Sequence, residues 1–146
     1  LWRDFFRFMF KKHGNRYFLQ SGIRNAAPIY FAGEEKRFES WKNASTPNRL
    51  INAFMKELKT TGYLSNRGRQ IVASYLIHDL KVNWTWGAWY FEEYLVDYSP
   101  ASNWGNWAYL AGVGNDPKEI RIFNPEIQAR KFDPQNSYSD FWNNLV

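Results

Sequence analysis

Nowhere in its 146 residues does this chain alternate apolar and polar positions with the period of a half-buried strand, yet helix starts and stops recur along its length. That combination restricts it to an all-α fold, read as a single domain over residues 1–146 without repeat or linker. The opening LWRDFFRFMFKK places Trp2, Phe5, Phe6 and Met9 on one helical face and stops at Gly14-Asn15 after a basic last turn. It begins at Leu1 without a cap and already reads as mid-helix, so sequence continuing upstream is expected. Residues 15–33 read as loop, with Pro28 and two glycines. A short helix is expected over Glu34–Lys42. Ser45-Thr46-Pro47 reads as a hydroxyl cap with proline in the first turn, opening a helix that buries Leu50, Ile51, Phe54, Met55 and Leu58 and ends at Gly62. Further helices are expected from Ser65 to about Lys81 and from Trp86 to Tyr98. A turn follows at Pro100–Trp104, then a helix over Trp107–Gly112. Beyond Gly112 the chain reads as loop through Asn115-Asp116-Pro117, with a short helix around Pro125–Lys131 and a tail, SYSDFW, docking through Phe141 and Trp142.

The length and an apolar content of 45% suit one packed domain. Zero cysteines exclude disulfides, Cys-based zinc sites and iron–sulfur clusters. His13 and His78 are far apart without ligand spacing, so no metal is expected, and no apolar run is long enough to span a membrane. A net charge of +5 favours an anionic partner. Walker, GxSxG and HExxH motifs are absent, and no strand precedes GVGND, so it is no dinucleotide fingerprint.

Five of the eight tryptophans fall between Thr61 and Asp116, more indole than a core needs for volume. Tryptophan also stacks on flat cofactors and bases and passes electron holes. In NRGRQ, Asn66 and Arg69 share a helical face and Arg67 points elsewhere. Arginines in a first turn oppose the helix dipole and call for an anion, either a carboxylate or a ligand phosphate. Asp97, at the expected end of an apolar helix, calls for a cation, and Arg69 would satisfy it. Asn103 lies in SNWGNW, where its amide can serve a turn or a ring nitrogen. Trp84 and Trp107 sit on separate helices, and core packing is the competing reading for each.

TGYLSNRGRQIVAS, DLKVNWTWGAWYFE, VDYSPASNWGNWAYLAGVGNDP and RIFNPEIQARKFDP resemble the FAD-binding helical domain of the photolyase/cryptochrome family. SNRGRQ, SNWGNW and LWRDFFRFMFKKHGN resemble its DASH-type branch. The resemblance implies the latter half of a multi-helix orthogonal bundle, whose upstream half and α/β antenna domain lie outside these residues. It implies FAD as cofactor, held by Asn66, Arg69, Asp97, Tyr98, Ser99 and Asn103. Trp107 and Trp84 resemble the proximal and middle members of the photoreducing tryptophan chain. Trp2, Arg3, Arg67, Gln70, Tyr109 and Gln128 take DNA-facing positions. The implied chemistry is blue-light electron transfer from reduced FAD to a cyclobutane pyrimidine dimer flipped from single-stranded or damaged DNA, or light signalling.

Three departures stand out. Phe31 takes the outermost electron-chain position, with Tyr30 beside it as a substitute. Ser99 replaces an aspartate, and STPNRLINA (Ser45–Ala53) lacks a turn glycine and carries Asn52 in place of a carboxylate. They open a second reading: a non-enzymatic photolyase-like domain retained as a structural or interaction subunit with protein partners. A bacterial cytoplasm or an organelle (chloroplast or mitochondrion) suits either reading, and secretion does not.

Overall fold

A computed structural model describes residues 1–27, 29–114 and 121–145. The loop readings at Pro28 and at Asn115-Asp116-Pro117 lie outside these residues. The described residues are helical, without strands: α1 (Trp2–His13), α2 (Glu34–Lys42), α3 (Arg49–Thr61), α4 (Asn66–Ser74), α5 (Trp84–Tyr94), α6 (Pro100–Leu110), α7 (Pro125–Phe132) and α8 (Ser137–Asn144). No helix among them is long and apolar enough to cross a membrane.

The core forms where α3, α4, α5 and α6 turn their apolar faces together. Leu50, Ile51, Met55 and Leu58 of α3 meet Ile71, Val72 and Leu76, while Phe91, Trp104 and Trp107 close the other side. Trp41 from α2 is fully buried among them, its Nε1 donating to the Val72 carbonyl at 3.1 Å. α1 lies across α6 through Phe6, and α8 lies against α3.

Helix boundaries depart from the sequence reading wherever a tertiary partner decides them. Asn48, not the hydroxyl at Ser45 or Thr46, caps α3, its side chain accepting from the Ile51 N–H at 3.0 Å. Thr46 is turned the other way and donates to Asn52 Oδ1 at 2.7 Å. Residues 14–18 form a 3₁₀ turn inside the segment read as loop. The helix expected to reach Lys81 widens after Ser74 into a π turn over Tyr75–Asp79, where the Leu80 N–H bonds the Tyr75 carbonyl at 2.9 Å. Arg37 fastens its exit by donating to the Leu80 and Lys81 carbonyls.

α5 ends at Tyr94, four residues early. Leu95 turns extended, and the Val96 N–H reaches the Gly62 carbonyl at 3.0 Å. Gly62 is left-handed, with φ of 71°, and a Cβ there would stand 2.7 Å from Val96 Cγ1. Asp97 therefore sits in the following turn rather than at a helix terminus. The expected turn at Pro100–Trp104 is the first half of α6: Pro100 occupies the first helical turn, where its fixed φ and missing N–H suit a helix start. The tail docks through Tyr138, whose ring lies tilted against Phe54 with centroids 5.1 Å apart and whose hydroxyl donates to Glu57, whereas Phe141 is 60% exposed.

Gly105 sets the approach of α1 to α6. At Gly105, where α1 and the 3₁₀ turn press on α6, a Cβ would meet Tyr17 Oη at 2.3 Å and Phe6 Cδ1 at 2.4 Å. Gly105→Ala gains helix propensity but overpacks this contact. It is expected to lower stability by about 1–3 kcal/mol. Urea denaturation read by circular dichroism checks this; an unchanged midpoint would show that the contact yields.

Candidate functional site

A cleft opens between α4, α5 and α6. Its floor is apolar, formed by Ala73, Phe91, Leu95, Trp107 and Leu110. Its walls carry Asn66, Arg69, Gln70, Asp97, Tyr98, Ser99 and Asn103 with Ser102, Asn106 and Arg3. A flat polar-edged ring is the shape such a cleft accepts: apolar contact on its face and hydrogen bonds around its rim. A second hollow adjoins it, lined by Trp2, Phe6 and Tyr109 and sharing Arg3, Asn66, Arg69, Gln70, Ser102 and Asn106.

Local structure explains the placements. Ser65 caps α4 by accepting from the Gly68 N–H at 3.1 Å, which sets Asn66, Arg69 and Gln70 in the first turn facing the cleft. Arg69 Nη2 donates to both Asp97 oxygens, at 3.0 and 2.8 Å, while its Nε donates to the Leu64 carbonyl at 2.9 Å and its guanidinium lies 5.4 Å from the Tyr63 ring centre. The pair anticipated from two misplaced charges thus forms, half-buried at the cleft edge. Ser99 is the residue before α6, in extended conformation. Asn103 is buried, and one of its amide N–H groups donates to the Ala88 carbonyl of α5 at 2.9 Å, so its rotamer is locked with the amide at the cleft wall. Burial first, then Glu92 beside it, pushes the Tyr98 phenol up to about 12.

Trp107 is 2% exposed, edge-on to Phe91 at 5.0 Å and to Trp41 at 6.2 Å. Its ring fills the notch left by Gly87 on α5, where a Cβ would stand 2.2 Å away. Trp84 lies three residues earlier on α5, outside the cleft, donating through Nε1 to the Gln20 carbonyl at 3.0 Å. At the far end of α6, His78 Nε2 bonds the Leu110 carbonyl at 3.0 Å; burial pulls its pKa down, so the neutral ring donates there.

The six DNA-facing candidates separate. Trp2, Arg3, Gln70 and Tyr109 gather around the second hollow. Arg67 instead lies over Phe123 and Phe132, 5.1 and 6.0 Å from the ring centres. Gln128 is on α7, its buried Oε1 without a partner among the described residues. Of the departures, Asn52 holds the preceding loop: Oδ1 accepts from the Thr46 N–H at 2.9 Å and Nδ2 donates to the Thr46 carbonyl at 2.8 Å. Phe31 and Tyr30 are exposed on the segment entering α2. Ser102, Asn106 and Phe91 were missed as lining residues; the first two stand one helical turn apart around Asn103, a signal hidden once Pro100–Trp104 was read as a turn.

Comparison with known proteins accords with this geometry. The profile of the family described as the FAD binding domain of DNA photolyase matches residues 1–144. The chain is 51% identical over 142 residues to the chloroplastic/mitochondrial cryptochrome DASH of Arabidopsis thaliana, covering 97% of this chain and 25% of that protein. It is 49% identical to cryptochrome DASH of Idiomarina loihiensis, covering 97% and 31%. The Synechocystis sp. PCC6803 cryptochrome structure superposes with a TM-score of 0.90 at 47% identity, over 97% of this chain and 29% of that one. An archaeal photolyase from Sulfolobus tokodaii, whose structure holds two FAD molecules, superposes with a TM-score of 0.91 at 39% identity, over 98% and 33%. The chain therefore belongs to the photolyase/cryptochrome family, as part of its FAD-binding helical domain, with DASH cryptochromes among its relatives.

Proposed function

We propose that this chain supplies one wall of an FAD site in a blue-light flavoprotein of the DASH type, and that DNA approaches over the adjoining hollow. The observation that carries the reading is the Arg69–Asp97 pair set beside Asn103 over an apolar floor made by Trp107 and Phe91. This donor set fits a flavin ring: the floor takes its face, Asn103 its edge, and the ion pair places fixed charge beside it. Asn66, Tyr98 and Ser99 complete the rim. When bound, FAD supplies the one-electron photochemistry; the protein holds the ring, excludes water from its lower face, and presents Trp107 and then Trp84 as electron donors. The chain spans 25% and 31% of the two DASH relatives, so the proposal places the rest of the FAD-binding domain and the antenna domain on surfaces outside these residues.

The rim of Trp2, Arg3, Gln70 and Tyr109 offers a stacking surface, a cation and amide donors, the set that suits a base turned out of single-stranded or damaged DNA. The relatives named as bacterial and as chloroplastic/mitochondrial support a bacterial or organellar site of action.

Fluorescence titration of FAD into the native protein tests the site. Asp97→Asn leaves Arg69 half-buried and uncompensated, and is expected to weaken FAD binding about 10- to 100-fold. Equal affinity in variant and parent would remove the pair from the site.

A further inference from the structure

Three buried indoles have N–H bonds that differ in one chemical respect. Trp41 donates to the Val72 carbonyl at 3.1 Å and Trp84 to the Gln20 carbonyl at 3.0 Å. Trp104 donates to Glu92 Oε2 at 3.2 Å and to Tyr98 Oη at 3.2 Å. A backbone carbonyl accepts a hydrogen bond but is too weak a base to take the proton itself, whereas a carboxylate can accept it outright. Trp104 is itself 2% exposed, whereas Glu92 is exposed, so the bond runs from a buried indole to a base in contact with water. The Trp104 ring meets Trp84 edge-on, with centroids 5.7 Å apart and planes at 74°. Neither Trp104 nor Glu92 lines the cleft.

We propose that Trp104 is a branch of the electron chain on which the hole is trapped by proton transfer to Glu92. This rests on the reading that Trp107 and Trp84 donate electrons toward FAD. With FAD bound and excited by light, Trp107 would give up one electron and be refilled from Trp84, which starts the hole. The oxidised Trp84 then takes one electron from Trp104 and returns to a closed-shell indole. Oxidation makes the Trp104 Nε1–H far more acidic than that of the neutral indole: the N–H bond breaks, the bonding pair stays on nitrogen, and the proton bonds to the Glu92 carboxylate. The products are a neutral Trp104 radical and a carboxylic acid that exchanges its proton with water. Tyr98, whose phenol stays protonated far above neutral pH, orients the indole and does not compete for the proton. Return of the hole requires the proton back, so the separated charge outlives what Trp84, bonded to a carbonyl, would sustain.

Flash photolysis of the native FAD-loaded protein tests this by the spectrum and lifetime of the tryptophan radical. The parent is expected to show a deprotonated radical. Trp104→Phe and Glu92→Gln should each shorten the radical lifetime by at least about tenfold, with the radical in Glu92→Gln remaining a protonated cation. Unchanged spectra and lifetimes in both variants, with Trp107→Phe abolishing the signal, would overturn the branch and leave the main chain standing. A signal intact in Trp107→Phe would instead remove the main chain, and the branch with it. A flavin-free readout uses a soluble one-electron photo-oxidant and mass spectrometry of oxidised tryptophans. Trp104 should carry several-fold more oxidation than the equally buried Trp41, and Glu92→Gln should erase the excess; equal oxidation of the two in the parent contradicts the proposal.

Discussion

Trp107→Phe is expected to abolish blue-light reduction of FAD while leaving FAD binding nearly unchanged. The retained binding follows from packing and the lost photoreduction from redox chemistry. Trp107 contributes to the apolar floor of the cleft, and a phenyl ring retains most of that surface for the face of a flavin. A benzene ring, however, gives up an electron far less readily than an indole. The ring beyond it, Trp84, stands outside the cleft, so no indole among the described lining residues replaces Trp107. The substitution leaves a small void against Gly87, costing about 1–3 kcal/mol, which thermal unfolding would register separately. Steady-state absorbance under blue light with an external reductant measures the loss. Photoreduction equal to the parent's would show that electrons reach the cleft by another route.

The largest structural effect is expected at Asp133, a residue outside the cleft. Its carboxylate is buried between α7 and α8 and accepts from the Tyr138 N–H at 3.0 Å, the Ser139 N–H at 2.9 Å and the Ser139 hydroxyl at 2.6 Å. Burial alone would raise its pKa; the three hydrogen bonds outweigh it and hold the carboxyl below its ordinary value. Asp133→Ala removes all three and is expected to cost about 2–3 kcal/mol, releasing α8 from α3. Because the folded pKa is depressed, the stabilisation is fully present above the unfolded value of about 3.9 and is lost as pH falls through the folded value. The protection factors of the α8 amides, taken relative to the intrinsic exchange rate at each pH, should thus fall in Asp133→Ala at neutral pH and in the parent only under acid. Protected α8 amides in the variant would show that Tyr138 and Arg49, which pairs with Asp140, hold the helix alone.

What was legible in the sequence follows from the range of the forces involved. α3 was readable because its apolar period, its glycine stop and most of its buried face are local. The Arg69–Asp97 pair was readable because two charges set against the expected helix dipoles imply each other. The premise for Asp97 was nonetheless incorrect, since the Gly62–Val96 backbone bond ends α5 before that residue. The π turn after Ser74 was not readable: the Ser74 hydroxyl accepts from the Phe123 N–H at 2.8 Å, and Trp41 takes the Val72 carbonyl. Those partners lie dozens of residues away. The same distance hid the contact of Trp41 with Trp107. The cleft residues themselves were named through resemblance to a family, and geometry then gathered the cofactor group while setting Arg67 and Gln128 apart.

The most direct test of the central claim, that this chain forms a wall of an FAD site, is the visible absorption spectrum of the protein purified from its native source. The account predicts a flavin spectrum that Asp97→Asn diminishes. A colourless native protein that takes up no added FAD would contradict it.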